Sequence, residues 1–88
     1  MKWLHKAADQ GSFPAQNQLG VVYANGQGVA IDQVQAYMWS TLALASAPND
    51  LFRTVAAANR DGVAQGMTPA QIAKAKALAA AWKPTAGQ

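Results

Sequence analysis

The fold of this chain is decided by residues 19–29, which read Leu-Gly-Val-Val-Tyr-Ala-Asn-Gly-Gln-Gly-Val. This stretch lies between two copies of a Trp-x-x-x-Ala pattern, Trp3 with Ala7 and Trp39 with Ala43, which are 36 residues apart. A fixed period in the thirties is typical of solenoids built from helix pairs. We therefore expect an all-α chain in which a glycine-rich turn separates the two helices of a repeat.

Five helices and no strand are predicted from the start and stop signals. Asp32 and Asn49 or Asp50 are suitable N-cap residues, and Thr68-Pro69-Ala70-Gln71 combines a Thr cap, an early Pro and a Gln for a capping box. Ser12 is expected to cap the second helix. Gly11 suits the left-handed position that ends the first helix, and Pro48 prevents the third helix from continuing. The predicted helices cover about residues 2–10, 13–24, 33–47, 51–61 and 68–83, with a loop bracketed by Gly62 and Gly66.

Apolar residues at helical spacing predict which face of each helix is buried. Gly20, inside the second helix, is expected to allow the close approach of a neighbouring helix backbone. All aromatic rings at this spacing, Trp3 included, are interpreted as core rather than as platforms for stacking nucleic-acid bases. The predicted inward residues are Trp3, Leu4, Ala7 and Ala8; Ala15, Leu19, Val22 and Tyr23; Ala36, Trp39 and Ala43; Leu51, Val55 and Ala58; and Ile72, Ala75, Ala79 and Trp82.

Composition excludes several classes of protein. Hydrophobic residues make up 51% of the chain and charged residues only 12%, which argues against disorder. Seven basic residues are scattered along the chain, so no basic patch for nucleic acid is predicted. No cysteine is present, which excludes disulfides and thiolate zinc sites. Apolar runs are far shorter than a membrane span, and Lys2 argues against a signal peptide. We expect a soluble protein, either cytoplasmic or periplasmic.

No catalytic, metal or cofactor site is predicted. His5 and Asp9 share a helix face, but one histidine and one carboxylate are too few for a metal site, and a surface histidine beside a carboxylate is expected. Gly26-Gln27-Gly28 follows a helix and lacks the Gly-Lys-Ser/Thr of a phosphate loop, so it is interpreted as a turn. Arg60 and Asp61 either pair with a neighbouring element or face water. We expect no enzymatic activity.

The residues around the turn resemble the Sel1-like repeat, a relative of the tetratricopeptide repeat. The matching positions are Ala15, Leu19-Gly20, Tyr23, Gly26-x-Gly28-Val29, Asp32, Ala36, Trp39 and Ala43. Residues 3–11 resemble the second helix of a preceding repeat. Residues 35–39, followed by Arg60-Asp61 and residues 67–73, resemble the C-terminal end of bacterial Sel1-like proteins. The fourth helix lacks the repeat pattern.

The resemblance implies a right-handed α-solenoid of antiparallel helix pairs within one domain, residues 1–84. Its parts would be a half repeat at 1–11, a full repeat at 12–47 and a C-terminal capping helix pair at 48–84, followed by a frayed tail at 85–88. The half repeat lacks the helix that normally precedes it. We therefore expect its free face to pack on a second copy, or the chain to be a fragment of a longer array.

The resemblance also implies a protein–protein interaction or scaffold role. In related solenoids the first helices of successive repeats line a concave groove, and Asn17, Val21 and Ala24 would lie there, on the side of the helix opposite Leu19 and Tyr23. A peptide or partner helix would fit this groove. The groove is either open or covered by the C-terminal helices. The alternative function is a cell-envelope or small-molecule binding unit of the kind that recognises peptidoglycan.

Overall fold

The helix α3, Gln33–Ser46, lies at the centre of the molecule and packs against α2, α4 and α5. The computed structural model describes residues 2–83, so the expected frayed tail lies outside the described residues. Five helices and no strand occur in this range, as predicted. The others are α1, Lys2–Asp9; α2, Phe13–Asn25; α4, Asp50–Ala64; and α5, Pro69–Ala81.

The turns between helices form where the glycines allow a positive φ. Gly11 has φ 92° and follows α1, and its N–H donates to the Ala8 carbonyl at 3.0 Å. Gly26 ends α2 in the left-handed region, with φ 69°, and its N–H donates to the Val22 carbonyl at 2.9 Å. A side chain at either position would strain the backbone. The Gly26–Gly28 segment is therefore a structural turn, as the sequence predicts.

The core forms where α2 and α3 meet, with α1 and α5 closing its two sides. Leu19 is fully buried and Trp39 is 3% exposed. The indole of Trp39 packs edge-to-face on Trp82, with ring centroids 6.3 Å apart. The predicted inward faces of α2, α3 and α5 are confirmed, although Ile72, Ala79 and Trp82 are only partly buried. The core cluster comprises Ala8, Ala15, Leu19, Met38, Trp39 and Leu42.

The buried polar residue Gln16, which is 1% exposed, connects three helices. Its side-chain amide donates to the Ala8 carbonyl near the end of α1, at 3.2 Å. Its carbonyl oxygen accepts from the Ser46 hydroxyl at the end of α3, at 2.6 Å. Buried polar groups are usually hydrogen-bonded in this way. Gln16 therefore fixes the end of α1 to the end of α3.

Three of the four predicted helix caps form as expected. Asp32 accepts from the Gln35 N–H at 3.0 Å, and Asn49, rather than Asp50, accepts from the Phe52 N–H at 3.0 Å. Thr68 and Gln71 form a complete capping box at the start of α5. Ser12 occupies the N-cap position of α2, but its side chain makes no capping hydrogen bond. Ser12 therefore has the predicted N-cap position, but the prediction that its side chain caps the helix was wrong.

The predicted buried face of α4 is wrong. Leu51 is 69% exposed, Val55 is 40% exposed, and Ala58 is also exposed. Ala56 is instead fully buried, and Phe52 is turned towards α2. Ala56 lies on another apolar stripe of α4, and α4 packs mainly against α3. Val55 and Ala58 of the predicted stripe stay exposed and line surface clefts between α4 and α2.

The end of α4 also differs from the expectation. The helix continues through Gly62 to Ala64, and the turn follows at Gln65–Gly66. Nothing lies within 4 Å of the position that a Cβ of residue 62 would take, so this glycine marks neither a turn nor a close contact. The Gly62 prediction failed because a helix tolerates a single glycine at a cost of only about 1 kcal/mol.

The exposure of Trp3 also contradicts the prediction that this ring belongs to the core. Trp3 is 77% exposed, whereas Trp39, the equivalent residue of the next repeat, is 3% exposed. Trp39 is covered by His5 of α1 and by Trp82. No helix among residues 2–83 covers Trp3 in the same way. Its burial would require a partner that this part of the chain does not supply.

Within the described residues, no helix is both long enough and apolar enough to cross a membrane.

Candidate functional site

A surface groove runs between α2 and α4 and contains two clefts. The aromatic cleft, of about 660 Å³, lies at the start of both helices. The amide cleft, of about 390 Å³, lies nearer their C-terminal ends. We call the two clefts, together with Val21 between them on α2, the α2–α4 groove. The aromatic cleft is lined by Ser12, Phe13, Pro14, Asn17, Ser46, Pro48, Phe52 and Val55. The amide cleft is lined by Ala24, Asn25, Gln33, Ala58, Asn59, Gly62, Val63 and Gly66.

The aromatic cleft is formed by two phenylalanines from different helices. The ring centroids of Phe13 on α2 and Phe52 on α4 lie 5.3 Å apart, tilted by 45°. Phe52 remains 41% exposed, and the neighbouring Val55 is 40% exposed. Pairs of aromatic rings at this separation attract each other and bury substantial apolar area. The cleft therefore presents a preformed apolar surface.

The amide cleft combines small residues with carboxamide side chains. Asn25, Gln33 and Asn59 line it together with Ala58 and Gly62. Gln33 packs so closely over Gly66 that a Cβ at residue 66 would lie 2.8 Å from its Nε2. Because Gly66 has no side chain, the side chain of Gln33 can lie against its backbone and line the cleft.

A hydrogen bond between two asparagines joins the walls of the groove. Asn59 Nδ2 of α4 donates to Asn17 Oδ1 of α2 at 3.0 Å, and both residues are half-buried. Asn17 lines the aromatic cleft and Asn59 lines the amide cleft. The bond therefore lies where the two clefts meet and holds α4 at a fixed position along α2.

Two of the three residues that the sequence suggested for partner binding line a cleft of this groove, whereas Val21 lines neither cleft. Asn17 lines the aromatic cleft and Ala24 lines the amide cleft. Val21 lies between them on α2 and is half-buried, as is Ala24. The helix α4 lies beside this face of α2 and forms the second wall. The face is thus bordered by α4, while both clefts stay open.

The sequence did not identify the residues that α4 contributes. Asn59 lies 42 residues from its partner Asn17, and Phe52 lies 39 residues from Phe13, so no local pattern connects them. The available signal was the second apolar stripe of α4, which contains the exposed residues Leu51, Val55 and Ala58. A stripe at helical spacing predicts that a face is contacted, but not what contacts it.

His5 differs from the surface histidine that was expected beside Asp9. It is half-buried, and its Nε2 lies 2.9 Å from the Tyr23 hydroxyl, so the two side chains share a hydrogen bond. Its ring also packs edge-to-face on Trp39, with centroids 6.1 Å apart. His5 therefore joins α1 to the α2–α3 core. Within residues 2–83, no cluster of three or more potential metal ligands occurs.

The ionic groups of α4 pair with each other. Arg60 and Asp61 form an ion pair of 3.1 Å, and Asp50 and Arg53 form one of 2.6 Å. Such exposed pairs contribute little to stability, about 0–1 kcal/mol. Neither pair lines the α2–α4 groove, so the ligand-facing walls of both clefts are uncharged.

A second apolar surface lies at the start of α2, next to the aromatic cleft, with which it shares Ser12 and Pro14. Trp3, Leu4 and Ala7 of α1 form a cleft of about 320 Å³ with the first turns of α2, and we call this the α1 face. The exposed indole of Trp3 is its largest side chain. An exposed aromatic ring next to other apolar residues is typical of a contact surface.

Comparison with protein families identifies the repeat. The family model for the Sel1 repeat matches residues 1–12 and again residues 13–46, which together are more than half of the chain. No curated protein sequence gives a significant match. The two matches agree with the helices seen here, since the first covers α1 and the second covers α2 and α3. The chain therefore belongs to the Sel1 repeat family, whose fold is a helical solenoid.

Proposed function

We propose that this chain is a protein–protein interaction module, an adaptor or scaffold, which holds a segment of a partner protein in the α2–α4 groove. The observation that supports this most is the groove itself, which has an open apolar cleft and is lined on one wall by Asn17 and Ala24 of α2. Sel1 repeats generally mediate protein–protein interactions. A rigid surface that exists before binding limits the entropy lost when a partner binds.

The chemistry of the groove favours this function over the binding of a small polar molecule or a peptidoglycan fragment. A site for a polar small molecule usually contains a few converging polar or charged groups in a deep pocket. The two clefts are instead open, and their lining contains no ionisable side chain. We propose no catalytic role and no cofactor for these residues.

We also propose that α4 and α5 close the end of the repeat array as capping helices. Both pack against α3, so they cover the side of α3 that a following repeat would otherwise contact. The half repeat at 1–11, the full repeat at 12–47 and the cap at 48–84 then form one domain. A solenoid needs such terminal elements, because an uncovered repeat exposes its apolar face.

The α1 face is the second surface for which we propose a contact, namely self-association of the chain. The 77% exposure of Trp3 supports this proposal, since its repeat equivalent Trp39 is buried. Light scattering coupled to size-exclusion chromatography tests it. A dimer that becomes a monomer after Trp3→Ala supports the proposal, and a monomer at high protein concentration rejects it.

The groove is tested by capture of partners from the native host, followed by mass spectrometry, with two charge-matched variants. Val21→Glu places a carboxylate in the groove, whereas Ala73→Glu places one on the exposed side of α5. We expect partners to be lost with Val21→Glu and retained with Ala73→Glu, provided that both variants keep their helicity in circular dichroism. Identical partner lists for the two variants would reject the groove as the binding surface.

A further inference from the structure

The asparagine pair in the α2–α4 groove keeps hydrogen-bonding capacity that the bond between them does not use. One N–H of Asn59 and one lone pair of Asn17 Oδ1 form the 3.0 Å bond. A carboxamide offers two N–H donors and a carbonyl acceptor. The Nδ2 group of Asn17 and the Oδ1 atom of Asn59 can therefore donate to and accept from a ligand in the middle of the groove.

The same groove offers no counter-charge to a charged ligand. None of its lining side chains is ionisable, and the nearby charges of α4 form the Asp50–Arg53 and Arg60–Asp61 pairs. A charged group that enters such a site loses hydration without gaining a counter-charge, which is unfavourable. The groove therefore selects for uncharged ligands.

On these grounds, and resting on the proposed function, we propose that the partner segment is an extended, uncharged peptide. Its backbone N–H and C=O groups bond to the carboxamides of Asn17 and Asn59. An extended chain presents free backbone groups, whereas a helix has bonded nearly all of its own. A helical ligand would bury the two carboxamides without partners, which costs free energy.

The size and lining of the clefts define the segment further. From Phe13 to Ala24, α2 extends over roughly 16 Å at 1.5 Å per residue. An extended peptide covers that distance with about five residues. One large apolar side chain fits in the aromatic cleft against the paired rings of Phe13 and Phe52. A small or amide side chain fits the amide cleft beside Ala58 and Gly62.

Selection from a phage-displayed library of random dodecapeptides on the immobilised full chain tests the proposal. Winning peptides are synthesised with blocked ends, and their affinity is measured by fluorescence anisotropy. We expect winners with about five consecutive uncharged residues, one of them large and apolar. Asn59→Leu keeps the branching and the number of side-chain heavy atoms and removes the amide, so it should weaken binding about tenfold. The control Gln27→Leu removes an exposed amide outside the groove and should leave affinity unchanged.

N-methylation of the peptide backbone provides a test that leaves the protein unaltered. A methyl group on one N–H of the five-residue core should weaken binding about tenfold, and the same change outside the core should have no effect. Some selected peptides could become helical on binding, lose affinity for the Val21→Glu variant and keep their affinity after N-methylation. That result would overturn this inference but leave the groove as the binding surface. Winners unaffected by Val21→Glu, or a selection without winners, would overturn both.

Discussion

Gly20 of α2 lies directly against Ser40 of α3, so close that a Cβ at residue 20 would lie 2.6 Å from the Ser40 Oγ. The backbone of α3 is also in contact, since the Ala36 carbonyl oxygen and the Ser40 nitrogen would both lie 3.4 Å from that Cβ. Ser40 is fully buried and cannot move into solvent. The distance between the two central helices is thus fixed by a glycine that the sequence places inside a helix.

Gly20→Ala should therefore destabilise the protein by roughly 1–3 kcal/mol, although Ala is the better helix former. Thermal unfolding followed by circular dichroism measures the change. Gly62→Ala is the matched control, because nothing lies within 4 Å of its Cβ position. This control should raise the stability by about 0.5–1 kcal/mol. If Gly20→Ala stabilised the protein, as Gly62→Ala is expected to do, the result would contradict the close packing at Gly20.

Ser40→Ala should relieve part of the clash in the Gly20→Ala variant. The Ser40 Oγ is buried and, among the described residues, has no hydrogen-bond partner, so its removal alone should change the stability little. In the double variant we expect Gly20→Ala to cost clearly less than it does alone. Additive effects in this double-mutant cycle would indicate that the two residues do not contact each other.

Trp3 and Trp39, which occupy equivalent positions in successive repeats, should differ sharply in their contribution to stability. Trp39→Ala removes a buried ring and should cost roughly 3–5 kcal/mol. Trp3→Ala removes an exposed ring and should change the monomer's stability by less than about 0.5 kcal/mol. Chemical denaturation at low protein concentration compares the two variants. An unchanged free energy of unfolding for Trp39→Ala would reject its place in the core.

The capping box of α5 should be a measurable source of stability. Thr68 accepts from the Gln71 N–H at 3.1 Å, and Gln71 Oε1 accepts from the Thr68 N–H at 2.9 Å. Thr68→Ala should therefore cost about 1 kcal/mol. Thr54→Ala is the control, since Thr54 lies inside α4 and donates to the Asp50 carbonyl. Because Ala is favoured in helices, this control should stabilise slightly. A Thr68→Ala variant as stable as the control would contradict the cap.

The hydrogen bond between His5 and Tyr23 should couple α1 to the core. Tyr23→Phe removes the hydroxyl that lies 2.9 Å from His5 Nε2 and should cost about 1 kcal/mol. In the His5→Ala background the same change should cost much less. Urea unfolding of the four proteins gives the interaction energy. A value near zero would show that this contact does not hold α1 in place.

Local signals in the sequence were sufficient to predict most of the fold. Asp32, Asn49 and Thr68 act on amide groups only three residues away, so their capping roles are visible in short stretches. The glycine turn at Gly26 is equally local. The stripe of Ala36, Trp39 and Ala43 on α3 was predicted correctly, but Tyr37, Met38, Ser40 and Leu42 are buried as well, because α3 has other helices on several sides.

The features that could not be predicted from the sequence depend on contacts between segments that are far apart in the chain. Which of the two stripes of α4 is buried depends on where α3 lies, and the sequence of α4 alone does not determine that. The exposure of Trp3 depends on the absence of a covering helix within residues 2–83. His5 was misjudged because its partner Tyr23 belongs to another helix. For the groove, α2 alone suggested Asn17, Val21 and Ala24, whereas the wall formed by α4 required the structure.

Site-specific photo-crosslinking tests the central claim, that the α2–α4 groove holds the partner, most directly. A benzophenone amino acid replaces Ala58 in the groove wall or Ala73 on α5, and both positions are exposed. The two proteins are irradiated in an extract of the native host and analysed by gel electrophoresis and mass spectrometry. We predict a discrete partner adduct from position 58 and none from position 73. An adduct from position 73 alone, or the same adduct from both positions, would contradict the account.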